Sequence, residues 1–81
     1  METLNNILKS VNPDVDYYKE TRLIEDRVLD SVQIVYLITL ISEEYSIEIS
    51  PEDLLPENFN SMDAIYALIK RYEKWFKTSM N

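Results

Sequence analysis

The pair Asp30-Ser31, with Gln33 close behind, has the most chemical content of any short segment in this chain. Asp30 and Gln33 have the spacing of a capping box, in which each side chain satisfies an orphan backbone N–H in the first turn of a helix. Ser31 then falls at the first helical position and is expected to be exposed. There, free N–H groups and the positive end of the helix dipole favour an attached phosphate. A serine beside an aspartate at a helix start is more often a cap or a solvated first-turn residue, and the residues alone leave both roles open. The chain has no histidine, and no lysine lies near Ser31 in sequence, so the hydroxyl has no base to activate it. Any reaction at Ser31 has to be catalysed by another protein.

Other chemistry is harder to place. With neither Cys nor His, the usual zinc, haem, iron–sulfur and thiol ligands are missing, as is a histidine general base. A conventional enzyme is not expected. Asp14-Val15-Asp16 has the first two ligand positions of a calcium loop but lacks its glycine and closing glutamate, so no metal is assigned. Glu43 and Glu44 read as a solvated helix end rather than an acid/base pair. The net charge of −7 argues against nucleic acid, whose phosphates need clustered Lys or Arg, and favours a basic partner. No basic residue falls between Arg27 and Lys70, while Asp30, Glu43, Glu48, Glu52 and Asp63 all do. Lys70, Arg71, Lys74 and Lys77 suit the negative end of a last helix.

The elements that must position Asp30 and Ser31 are helical. Eighty-one residues, 46% hydrophobic and 28% charged, make one soluble globular domain over 1–81. Its net stability should be only about 3–5 kcal/mol, with no cysteine for a disulfide. Glycine is absent, which removes the Asn-Gly and Asp-Gly hairpins and favours an all-α fold. Leu4, Ile7, Leu8 and Val11 form one face of a first helix ending before Asn12-Pro13. From Val15 to Leu29 no period is sustained. This segment is read as a long ordered loop with at most a turn of helix, pinned to the core by Tyr17, Tyr18, Leu23 and Ile24. A loop of this length in so small a domain points to function.

The second helix starts at Asp30. At about 100° per residue, Ile34, Leu37, Ile38, Ile41 and Tyr45 share the core face, and Val32, Val35, Tyr36, Thr39 and Glu43 the opposite one. Two valines and a tyrosine on a face that should be solvated mark a partner surface. Ser50-Pro51-Glu52-Asp53 starts a short third helix, with Ser50 as cap and Pro56 limiting its length. Asn60 and Asp63 repeat the cap spacing for a fourth helix, whose core face is Met62, Ile65, Leu68, Ile69 and Tyr72, with Trp75 and Phe76 covering the end of the bundle. The longest apolar run, Ile34 to Ile38, is too short to span a bilayer, and the N-terminus lacks the blocks of a signal peptide, so a cytoplasmic, soluble chain is expected.

Taken together, the chain resembles the acyl carrier proteins and their peptidyl and D-alanyl carrier relatives. Leu29-Asp30-Ser31-Val32 looks like the family's Asp-Ser-Leu attachment motif, with Ile34 through Tyr45 as the second helix. Ile47 through Leu54 resembles the following loop and third helix, and Pro56-Glu57-Asn58-Phe59 with Ala64-Ile65 resembles the entry to the fourth. The resemblance implies an acyl-carrier-like four-helix bundle with a long loop between helices 1 and 2 and a short third helix. It also implies a 4′-phosphopantetheine arm on Ser31, transferred from coenzyme A by a magnesium-dependent phosphopantetheinyl transferase. Asp30 would cap the helix and sit beside the incoming phosphate and metal. The protein would be a monomeric carrier without catalytic activity or membrane insertion, visiting an adenylating ligase or an acyl or aminoacyl transferase.

Three departures refine this expectation. The family's glycine two residues before the Asp is Val28 here, which predicts a loop that enters the helix without left-handed freedom. Val32 stands where leucine is common. At the second, fifth, eleventh and twelfth positions after the serine, where fatty-acid carriers place acids, the chain has Gln33, Tyr36, Ser42 and Glu43. Charge sets encounter rate and specificity at such surfaces, so the loss points to a specialised D-alanyl or peptidyl type rather than general fatty-acid synthesis. Bulky side chains near Leu37, Ile41, Ile65 and Leu68 predict a small interior and a short or aminoacyl cargo. The competing reading is a small acidic interaction module that docks through Val32, Val35 and Tyr36 with no covalent arm.

Overall fold

The computed structural model describes residues 2–79, the side chains of 75–79 excepted. Four α-helices follow one another: α1 (Glu2–Val11), α2 (Ser31–Tyr45), α3 (Pro56–Phe59) and α4 (Met62–Ser79), with a 3₁₀ turn at Pro51–Asp53. No strand occurs among the described residues. α1 packs against α2 and α4, and α3 against α4. The roles expected of Trp75 and Phe76 lie outside the described side chains.

α1 buries Leu4 and Leu8 and leans Ile7 and Val11 on the same core, as their spacing requires. Its last carbonyls would be orphans. The Tyr17 hydroxyl, reaching back from the loop, donates to Leu8 O at 2.9 Å and Asn12 O at 2.8 Å, and Lys9 Nζ donates to Val15 O at 2.7 Å. The loop is therefore stitched to the helix before it. Tyr17, Leu23 and Leu29 are buried. Tyr18, grouped with them from the sequence, is instead exposed, because its neighbour Tyr17 occupies the inward position. Two isolated turns, closed by Glu20 N to Asp16 O at 3.1 Å and Asp26 N to Arg22 O at 2.9 Å, are the helical content of the loop.

Burial pushes the Tyr17 hydroxyl from 10.0 up to about 12. The folded state thus keeps a proton that the unfolded chain releases, so this stabilisation is complete below pH 10 and is lost as pH rises towards about 12. Melting temperatures measured across that window should fall, and Tyr17→Phe should fall less steeply. An equal slope in the two proteins would show that Tyr17 does not titrate in this way.

Two expected helix starts are corrected. The residues after Ser50 form only a 3₁₀ turn, with no cap bond from the Ser50 side chain, and the α-helical turn begins at Pro56 rather than being cut short by it. Proline fits the first helical position because its missing N–H has no partner there in any case. The cap of α4 is Ser61, not Asn60: Ser61 Oγ accepts from Ala64 N at 3.0 Å, and its carbonyl accepts from Ile65 N at 3.0 Å. Leu37, Ile41, Ile65 and Leu68 are fully buried in one cluster with Phe59, Met62 and Ile69.

Candidate functional site

Asp30 takes extended backbone angles, φ −88° and ψ 177°, and closes both halves of a capping box. Gln33 N donates to Asp30 Oδ1 at 2.8 Å, Asp30 N donates to Gln33 Oε1 at 3.1 Å, and Ile34 N donates to Asp30 O at 2.9 Å. The entry to α2 is thus fixed by its own first four residues. Ser31 follows as the first residue of α2 and is exposed. Its side chain makes no hydrogen bond among the described residues, so the hydroxyl is left to solvent. The backbone N–H groups of Ser31 and Val32 belong to the helix's unpaired first turn.

The opposite face of α2 emerges as its angular spacing requires. Val32 is 78% exposed, Val35 64% and Tyr36 49%; Thr39 and Glu43 are exposed beside them. The Thr39 hydroxyl donates to Val35 O at 3.0 Å, one turn back along the helix. On the core side, Leu37 and Ile41 are buried and Ile34, Ile38 and Tyr45 are partly so. The helix ends at Ser46, left-handed at φ 54°, whose N–H returns to Ser42 O.

The approach to Asp30 differs from the expectation built on Val28. A left-handed residue is present, but it is Arg27, at φ 56°. For a residue with a Cβ this conformation costs about 1–2 kcal/mol, so other bonds must hold it. Val28 N and Leu29 N both donate to Leu23 O, at 3.0 and 3.2 Å, and Arg27 N donates to Ile24 O at 3.1 Å. Val28 itself leans on the core. The chain is folded back on Leu23 just before the site.

Leu23 is in turn fixed from a distance. Its N–H donates to Asn60 O at 2.8 Å. The Asn60 side chain accepts from Ile24 N at 3.0 Å and Glu25 N at 3.1 Å, and its Nδ2 donates to Glu25 Oε1 at 3.2 Å. Arg22 pairs with Glu25 and Asp26, each at 3.1 Å. No local signal marks Asn60 for this work, since its partners are about 35 residues away in sequence. A second such tie holds the segment after α2: the Tyr72 hydroxyl accepts from Ser50 N at 2.9 Å and donates to Asp53 Oδ2. Burial, and then the bond to Asp53, raise the Tyr72 hydroxyl above the ordinary phenol value.

Asp16 of the supposed calcium loop is engaged locally, accepting from Tyr18 N at 3.1 Å and lying 4.0 Å from Lys19 Nζ. Among the described residues no group of three or more carboxylates is placed to hold a metal ion, and no helix is long and apolar enough to cross a membrane.

Four helices, a long first connection and a very short α3 define an acyl-carrier-like helical bundle. No family model matches the chain, and no solved structure matches it. Among curated proteins it is similar to an acyl carrier protein of Buchnera aphidicola subspecies Baizongia pistaciae, 43% identical over 53 residues, which are 65% of this chain and 65% of that protein. The chain thus spans just under two thirds of the relative's length. The similarity supports membership of the acyl carrier protein family, and the relative's name is that of a carrier rather than an enzyme.

Proposed function

We propose that the chain is a carrier that holds an acyl or aminoacyl group as a thioester on a 4′-phosphopantetheine arm at Ser31 and presents it to partner enzymes. The observation that carries this reading is the exposed, unpartnered Ser31 hydroxyl at the first position of a capped 15-residue helix. These residues fit a phosphoester: the site is open to solvent, and the unpaired N–H groups at the N-terminus of α2 stabilise negative charge. When bound, the arm supplies the thiol that a cysteine-free chain lacks.

In the loading step Ser31 Oγ attacks the β-phosphorus of coenzyme A. A P–O bond forms to the serine, the pyrophosphate bond breaks, 3′,5′-ADP leaves, and the serine proton passes to a base of the phosphopantetheinyl transferase. Asp30 serves as helix cap and as the carboxylate beside the transferase's magnesium and the phosphate. Val32, Val35, Tyr36, Thr39 and Glu43 form the surface that partners read. Its apolar character supports a specialised D-alanyl or peptidyl type, served by an adenylating ligase or an acyl or aminoacyl transferase and working as a cytoplasmic monomer. The filled interior around Leu37, Ile41, Ile65 and Leu68 supports a short cargo.

The exposed Val32, Val35 and Tyr36 also suit the second reading, an acidic interaction module without an arm. Intact mass after incubation with coenzyme A, magnesium and a promiscuous phosphopantetheinyl transferase separates the two. The expected result is a gain of one phosphopantetheine per chain, and an unchanged mass would leave only the docking module.

A further inference from the structure

We infer that Asn60, at the junction of α3 and α4, is a positioning residue for Ser31: it clamps residues 23–25 so that the loop delivers the serine hydroxyl in a fixed place. The inference rests on the carrier reading and adds to it a residue distant in sequence. Asn60 uses three of its polar groups on this one segment. The backbone carbonyl takes Leu23 N, Oδ1 takes both Ile24 N and Glu25 N, and Nδ2 gives to Glu25 Oε1. From there the linkage is short: Leu23 O holds Val28 N and Leu29 N, and Leu29 leads directly into the Asp30 cap. Arg27, left-handed at φ 56°, lies inside this closed turn. Removing the Asn60 amide takes the acceptor from two N–H donors and one of two partners from the Glu25 carboxylate, which keeps Arg22, so the strained turn reopens next to Ser31.

The docking face on α2 and the capping box share no hydrogen bond with Asn60, which separates positioning from recognition. That difference can be read in kinetics, because the protein is here the substrate of the transferase. A partly unfolded substrate is a diluted one, which raises apparent KM and leaves kcat alone, whereas a misplaced hydroxyl on a folded, docked substrate lowers kcat.

The test is phosphopantetheine transfer from coenzyme A to the full chain, with kcat and KM measured for the wild type, Asn60→Ala and the double variant Asn60→Asp/Glu25→Gln. The double variant exchanges donor and acceptor between the two side chains while keeping an oxygen for Ile24 N and residue 25 N. Tyr72→Phe serves as a control that breaks a tie of similar size away from the loop. Asn60→Ala should lower kcat about tenfold at nearly constant KM. The double variant should recover most of that loss, and Tyr72→Phe should leave kcat unchanged. A kcat for Asn60→Ala within twofold of wild type, or a change confined to KM, would overturn the inference. A wild type that gains no mass would overturn the carrier reading itself.

Discussion

Ser31→Ala should retain the helical spectrum and a stability within about 0.5 kcal/mol of wild type while losing all gain of mass with coenzyme A and transferase. On the proposed attachment the effect on loading is total, because the Ser31 hydroxyl oxygen would be the atom that forms the new bond. The fold is spared for a local reason. The cap of α2 is built by Asp30 and Gln33, the serine side chain bonds to nothing among the described residues, and alanine is a better helix former than serine. The paired measurement is intact mass beside a thermal melt. Loading that persists in the variant would remove Ser31 from the site, and a variant that unfolds would show the serine to be structural.

The second large effect concerns the core. Ile65 has no exposed surface and lies in the same cluster as Leu37, Ile41 and Leu68. Truncation to alanine at such a site costs about 2–5 kcal/mol, against a total of about 3–5 kcal/mol for a domain of this size without disulfides. Ile65→Ala should therefore lose most of its cooperative urea transition at 25 °C, whereas Val35→Ala on the exposed face should shift stability by no more than about 0.5 kcal/mol. Near-equal midpoints for the two variants would contradict the assignment of inner and outer faces.

Those faces were legible because they depend only on helical period. Leu37 and Ile41 fell inside, and Val32, Val35 and Tyr36 outside, where their angles about α2 put them. The Asp30–Gln33 box was legible because both partners lie within one turn. Chain entries chosen between near-equivalent signals were not. Asn60 and Ser61 are both good cap residues, and what decides between them is the demand that Ile24 N and Glu25 N place on the Asn60 amide from across the fold. Pro56 can follow one helix or begin another, and here it takes the first helical position that its missing N–H favours. The left-handed turn was expected to be excluded by Val28, yet it sits one residue earlier, because closure onto Leu23 O outweighs the local cost at Arg27. At Asn60 the choice is made by hydrogen bonds from about 35 residues away, and at Arg27 by bonds within the loop itself.

The full burial of Leu37, Ile41, Ile65 and Leu68 has a consequence for handling the cargo. The centre of the bundle is occupied by its own side chains, so a thioester held as proposed on Ser31 would be left to water, where hydrolysis competes with delivery. Throughput would then depend on prompt hand-off between the loading and the accepting enzyme, which rewards a courier that meets few clients quickly over one that stores a finished chain.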